Sequence, residues 1–209
     1  MKVTYASVVQ GGLKLLNQVG LESLTLRLLG NELGVQAAAL LWHVASKQAL
    51  LDAMASTLLA EGTARMLLPK KTAPWDKRVA AFGNGLRETL LSCRDGARMV
   101  SGTRLSDTRY LHTAETLAQH VVDAGFTVRQ TVVLISTVYN YTLSFVMEEQ
   151  AVYPQPGQRS PQYSLQQRDE WLGNGQLPLM RQAGPILFDR FDRRYKEGLQ
   201  LILRGAKRD

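Results

Sequence analysis

The side chains of this 209-residue chain that could make or break bonds are few and poorly spaced for it. Glu148 and Glu149 are adjacent, so on a helix their carboxylates diverge and cannot share acid and base work on one substrate. His112 and His120 stand too far apart on one helix to chelate an ion. Cys93 is the sole cysteine, which excludes an intrachain disulfide and a thiolate metal cluster and fits a reducing compartment. Neither a nucleophile elbow, a phosphate loop, an HExxH motif nor a Ser/His/Asp cluster appears. An enzyme is therefore not expected, nor is a cofactor or a bound metal. The excess is in positive charge, +7 overall, and such a chain favours a polyanionic partner. Its placement tempers that inference. Residues 1–48 hold Lys2, Lys14, Arg27 and Lys47 against Glu22 and Glu32, whereas the densest basic run, Arg190 to Arg208, reads as a solvated helix face.

The elements that must position these groups are helical. Apolar residues recur at three and four almost throughout and strand-like alternation is scarce, so the fold class is all-α. No apolar run approaches the ~18–20 residues of a bilayer span, and the N-terminus lacks a signal-peptide core. No membrane partner is expected, and the cytoplasm is the expected location.

A first helix spans residues 5–19 and closes at Val19-Gly20; Thr25 is placed to cap a second, short helix from Leu26 to Leu33. Gly34 suits the left-handed residue of a tight turn, and a third helix is expected from Gln36 to Val44. Two short helices joined by such a turn make a helix-turn-helix. Ser46 caps a fourth helix whose Leu50, Leu51, Met54, Leu58 and Leu59 form too broad an apolar face to stay exposed. We expect residues 1–47 as a helix-turn-helix domain, 48–64 as a connector helix and 65–209 as a larger helical bundle. Within the bundle, helices are predicted from Trp75 to about Cys93 and over 95–102, 107–123, 127–149 and 184–204. Residues 151–178, rich in Pro, Gln and Gly, are expected as a long loop.

Segment 19–54, VGLESLTLRLLGNELGVQAAALLWHVASKQALLDAM, resembles the DNA-binding head of the tetracycline-repressor (TetR) family. LLSCRDGARMVSGTR at 90–104 and MEEQ at 147–150 extend the resemblance, in the same order, over nearly the whole chain. It implies a transcriptional repressor: a homodimer that binds double-stranded operator DNA at a palindrome and releases it when a small molecule enters the larger domain.

In such a head the third helix enters the major groove while helix ends and loops hold phosphates. By position Gln36, Ala37, Ala38, Ala39, Trp42 and His43 face the groove or its rim. Gln36 can bond adenine, alanine methyls can pack on thymine methyls, and His43 can reach a base or phosphate. Arg27 could read guanine bidentately, and Thr25 and Lys47 are phosphate candidates. This reader is greasy for the family: Ala37 and Ala39 replace polar residues, Leu41 a phosphate-binding Tyr and Leu26 a phosphate-binding Thr. Readout through Arg27, Gln36, methyl contacts and DNA shape is one explanation; a sequestering protein that has lost tight DNA binding is the other. Trp42 could equally pack on the connector, and Leu40 is expected in the core.

Where tetracycline-binding family members carry a magnesium-coordinating His, and an Asn, a Phe and a His that grip the drug, this chain has Val100, Phe82, Leu86 and Thr63. A Val offers no lone pair to Mg²⁺, so a metal–tetracycline complex is not expected. The remaining candidate effector wall is Phe82, Leu86, Val100, Leu105, Val132, Ile135 and Tyr139. Thr103, Arg104, Thr113 and Thr116 are available as orienting polar groups, and Glu148 matches an acidic residue that acts across the family dimer. Such a wall suits a small, flat, hydrophobic effector. Gly102-Thr103-Arg104 is the expected hinge. Dimerisation should fall to the helices at 127–149 and 184–204, with Tyr153, Tyr163 and Trp171 of the long loop near the pocket mouth.

Overall fold

In a computed structural model, residues 3–104, 108–173 and 175–208 are described, and no strand occurs among them. The helices are α1 (Tyr5–Ser23), α2 (Leu26–Leu33), α3 (Ala37–Leu40), α4 (Lys47–Arg65), α5 (Trp75–Leu91), α6 (Gly96–Ser101), α7 (Arg109–Asp123), α8 (Val128–Val152), α9 (Leu165–Trp171), α10 (Pro178–Asp189) and α11 (Phe191–Gly205). A 3₁₀ turn, Pro161–Tyr163, precedes α9.

Local chemistry sets the head. Thr4 and Ser7 form a reciprocal capping box at the start of α1. The helical path breaks at Gly20, φ 79°, and runs one further turn to Ser23. A Cβ on Gly20 would lie 3.1 Å from the Asp95 carboxylate, so glycine is needed there for backbone and for space. Thr25 Oγ1 accepts the Leu28 N–H at 3.2 Å, and Gly34 closes α2 in the left-handed region at φ 69°. Gly30 lets α2 lie against the turn, because a Cβ there would meet the Val35 carbonyl at 2.7 Å.

α3 is shorter than the expected Gln36–Val44. After Leu40 the chain bends through Leu41–His43, held by the His43 and Val44 N–H groups both donating to the Leu40 carbonyl. Ser46 then caps α4 by accepting the Ala49 N–H at 3.1 Å. α4 packs on α1 on one side and on α5, α6 and α7 on the other, which uses its broad apolar face: Leu50, Met54, Ala55 and Leu59 are wholly buried.

The bundle is built on α5 and α8, with α11 against both. Its core includes Phe82, Leu86, Leu90, Val138, Val146 and Tyr195. Two expectations need correction. The predicted helix 184–204 is two helices, divided at Arg190 (φ −118°, ψ 45°); the first starts at Pro178, where a proline needs no partner for its missing N–H, and carries Pro185 inside it. The expected loop 151–178 is largely structured. Arg159 pairs with Asp189 and donates to the Tyr163 carbonyl, Arg168 donates to the Met180 carbonyl, and Arg181 to that of Gly173.

Candidate nucleic-acid interface and effector site

The helix-turn-helix presents a mostly apolar face. Gln36, Ala38 and Ala39 are exposed and Ala37 is half-buried, while Leu40 is buried in the core as expected. Trp42 is 90% exposed and does not pack on the connector; Leu41, at 51%, stands out beside it. Carrying that much apolar surface into water is unusual for a monomer and suits a face that meets a partner. The polar groups ring this face. Arg27, in the first turn of α2, is exposed and forms no hydrogen bond or ion pair among the described residues. Thr25 Oγ1 uses one of its lone pairs on the cap, and its O–H can still donate. His43 is half-buried, and Lys47 rests on the Leu21 carbonyl at 3.5 Å.

In the larger domain Phe82, Leu86 and Val100 are buried together in one core, with Ile135 and Tyr139 half-buried against it. The Tyr110 and Tyr139 rings meet at 6.5 Å, and burial pushes both phenols above the usual tyrosine range. Thr113 is half-buried on the inner side of α7. Other expected residues stand apart. Val132 is 58% exposed because the inward stripe of α8 is Thr131, Leu134 and Val138, one position off. Thr116 is exposed, next to the buried Leu117, and bonds the His112 carbonyl. Glu148 pairs with Arg194 at 3.2 Å. Leu105 lies outside the described residues. Tyr153 packs on Phe191 and Tyr163 on Phe188, within the chain's own fold, while Trp171 is 83% exposed.

The turn at Gly102–Arg104, the expected hinge, holds the contacts that sequence reasoning missed. Gln48 Nε2 donates to the Gly102 carbonyl at 3.2 Å and to Asp52 Oδ1 at 2.9 Å, and that same carboxylate oxygen accepts the Arg104 N–H at 3.1 Å. The turn after α6 is thus fastened to the first turns of α4, immediately behind the reading face. Thr103 stabilises the turn by donating to the Val100 carbonyl at 3.0 Å, so Val100 belongs both to the buried core and to this turn. The only sequence signal was the i, i+4 spacing of Gln48 and Asp52, which places both on one helix face.

The family follows from comparison with known proteins. Residues 8–54 match the model for bacterial regulatory proteins of the tetR family, and residues 68–209 match the tetracyclin repressor-like C-terminal domain. The chain belongs to the TetR family. It is 34% identical to the class A tetracycline repressor protein from transposon 1721 of Escherichia coli, over 97% of this chain and 90% of the relative. A possible TetR family transcriptional regulator from Streptomyces coelicolor A3(2) superposes with a TM-score of 0.85 at 33% identity, covering 97% of this chain and 98% of that one. A TetR from Acinetobacter baumannii AYE gives a TM-score of 0.74 at 33% identity, over 98% and 96%. A substituted form of that protein was solved in complex with minocycline. All of these relatives are regulators, and no described helix of this chain is long and apolar enough to cross a membrane.

Proposed function

We propose that this TetR-family protein is a repressor that binds a palindromic operator as a homodimer and lets go when a small hydrophobic effector enters the larger domain. The observation that carries the reading is the fastening of Gly102 and Arg104 to Gln48 and Asp52. A ligand that displaces Val100 would pull on that turn, and α4 would transmit the movement to the heads. Two half-sites must be met about 34–36 Å apart, so a modest change in head separation is enough to prevent simultaneous contact. Dimerisation is assigned to α8, α10 and α11, which leave Val128, Val132, Val133, Ile186 and Leu201 exposed in the single chain.

The effector we assign is flat and apolar, oriented by Thr103 and Thr113, with Phe82, Leu86, Val100, Ile135 and Tyr139 as its wall. The minocycline complex of a relative supports a fused-ring molecule as the effector class. The effector we assign carries no magnesium, a reading supported by Val100, which is apolar and buried where the family resemblance would place a magnesium-coordinating His. The test is a titration of the purified protein on the DNA flanking its own gene at two salt concentrations. A sequence-selective, salt-sensitive complex is the expected result. Its absence would favour the second reading, a ligand-sequestering protein, which the nonpolar surface of Ala38, Ala39, Leu41 and Trp42 supports.

A further inference from the structure

Arg78, in the first turns of α5, is only 3% exposed, yet it lacks an acidic partner. Its Nη1 donates to the Pro69 carbonyl at 2.9 Å; its Nε is buried with no hydrogen-bond partner among the described residues. Unpartnered buried guanidinium nitrogens also occur on Arg94, Arg168 and Arg194, but among the described arginines only Arg78 is itself buried, and several of the part-buried ones stand beside carboxylates. Arg87 is held between Glu149 and Asp192, Arg159 pairs with Asp189, and Arg194 lies near Glu148. A buried guanidinium left to one carbonyl dipole is expensive, and an anion that completes it is correspondingly favoured.

Arg78 lines a cleft of about 1060 Å³ between the chain around Lys71–Trp75, the second half of α7 and Arg208 after α11. Phe82, Leu86 and Val100 do not line this cleft. Lys71 and Arg208 add positive charge to its walls, and Asp76, Glu115 and Asp123 add negative charge. Three cations facing three carboxylates leave no net field for a polyanion: a diphosphate would meet as much repulsion as attraction. One negative charge placed on the buried fork is the exception, because its partner is desolvated, whereas Glu115 and Asp123 are exposed, Asp123 accepting the Gln119 amide at 2.7 Å, and Asp76 is half-buried. Trp75, with its ring against Phe126, offers a flat apolar surface beside that position.

The geometry points to a second ligand site in this cleft, for a small monocarboxylate whose acid group completes the coordination of Arg78 and whose apolar body lies on Trp75. This site is independent of the repressor reading, and a ligand in it could be detected whether or not the protein binds DNA.

Benzoate is the probe. It is titrated calorimetrically into the full-length protein at constant ionic strength, with chloride as the balancing anion. We expect saturable binding of one benzoate per chain, weakened at least tenfold by Arg78→Gln, a loss that corresponds to about 1.4 kcal/mol. Thr72→Trp, at an exposed position that lines the cleft, should block binding without touching the core and serves if Arg78→Gln does not fold. The inference is overturned if the wild-type protein shows no saturable binding, or if folded Arg78→Gln or Thr72→Trp binds benzoate as well as the wild type. It is also overturned if inorganic phosphate displaces benzoate on equal terms, since the site would then be a general anion trap.

Discussion

The carboxylate of Asp95 accepts the backbone N–H of Leu21 at 2.9 Å, so the corner between α5 and α6 grips the end of the first helix of the head. The grip is reinforced from both sides. Asn17 Oδ1 accepts the Arg94 N–H at 2.7 Å, Arg94 Nη1 donates to the Gln18 carbonyl at 3.0 Å, and Arg98 pairs with Glu22. Head and bundle are therefore joined through two routes, this corner and the long connector α4.

Asp95 also has the sole positive φ among the described non-glycine residues, 55°. Replacing it with Ala removes the acceptor of a part-buried N–H and places a residue poorly suited to the left-handed region. We expect Asp95→Ala to destabilise the protein by about 1–3 kcal/mol in chemical denaturation. Asp95→Asn should cost less, because it keeps an amide oxygen to accept the bond and tolerates the backbone conformation.

The hinge makes a separate prediction. Asp52→Ala removes the acceptor of the Arg104 N–H and leaves Gln48 alone on the Gly102 carbonyl. Amide hydrogen exchange at Arg104 should then speed up by roughly fivefold to tenfold, the loss of about 1 kcal/mol of local protection. Unchanged exchange at Arg104 would mean that the turn is held by Thr103 and packing alone, and that α4 is not fastened to it through Asp52.

Arg27 is exposed and unpartnered among the described residues, a condition that leaves its guanidinium available to a base edge. Arg27→Ala should weaken operator binding by about 1–3 kcal/mol and relax discrimination at one position of each half-site. A fall of the same size on every sequence, with a shallower salt dependence, would make Arg27 a phosphate contact.

Much of the head was legible because its decisive signals are local. Thr25, Gly34 and Ser46 each act within three or four residues of their own position: the two hydroxyls cap helices, and Gly34, lacking a Cβ, takes the left-handed turn. The length of α3 was not legible, since the bend after Leu40 has no Gly or Pro to mark it. In the larger domain the family resemblance points to Phe82, Leu86 and Val100, which the structure buries in one core, whereas Val132 and Thr116 sit one residue off the inward stripe, a difference that periodicity alone does not resolve. The order in residues 151–178 was hidden for a different reason. It depends on Arg159, Arg168 and Arg181 reaching carbonyls and a carboxylate brought near only by folding. The fastening of Gln48 to Gly102 spans 54 residues and belongs to the same class.

Alkaline conditions probe the core of the bundle. Burial pushes the Tyr195 phenol up from 10.0 to about 12, and the Cys93 thiol from 9.0 to about 12. In each case the folded state holds its proton more tightly than the unfolded chain does. The stabilisation is therefore complete below the unfolded value and is lost as pH rises from about 9 for the thiol, and from about 10 for the phenol, towards about 12. Each group steepens the fall in unfolding free energy by at most about 1.4 kcal/mol per pH unit within its window. Tyr195→Phe should flatten the curve above pH 10 while leaving Thr142 satisfied, because the Thr142 hydroxyl donates to the Val138 carbonyl at 2.7 Å. Cys93→Ala should flatten it from about pH 9. Urea denaturation between pH 8 and 11 gives the slopes; a wild-type curve no steeper than that of the double variant would mean that neither group stays protonated in the fold beyond its ordinary range.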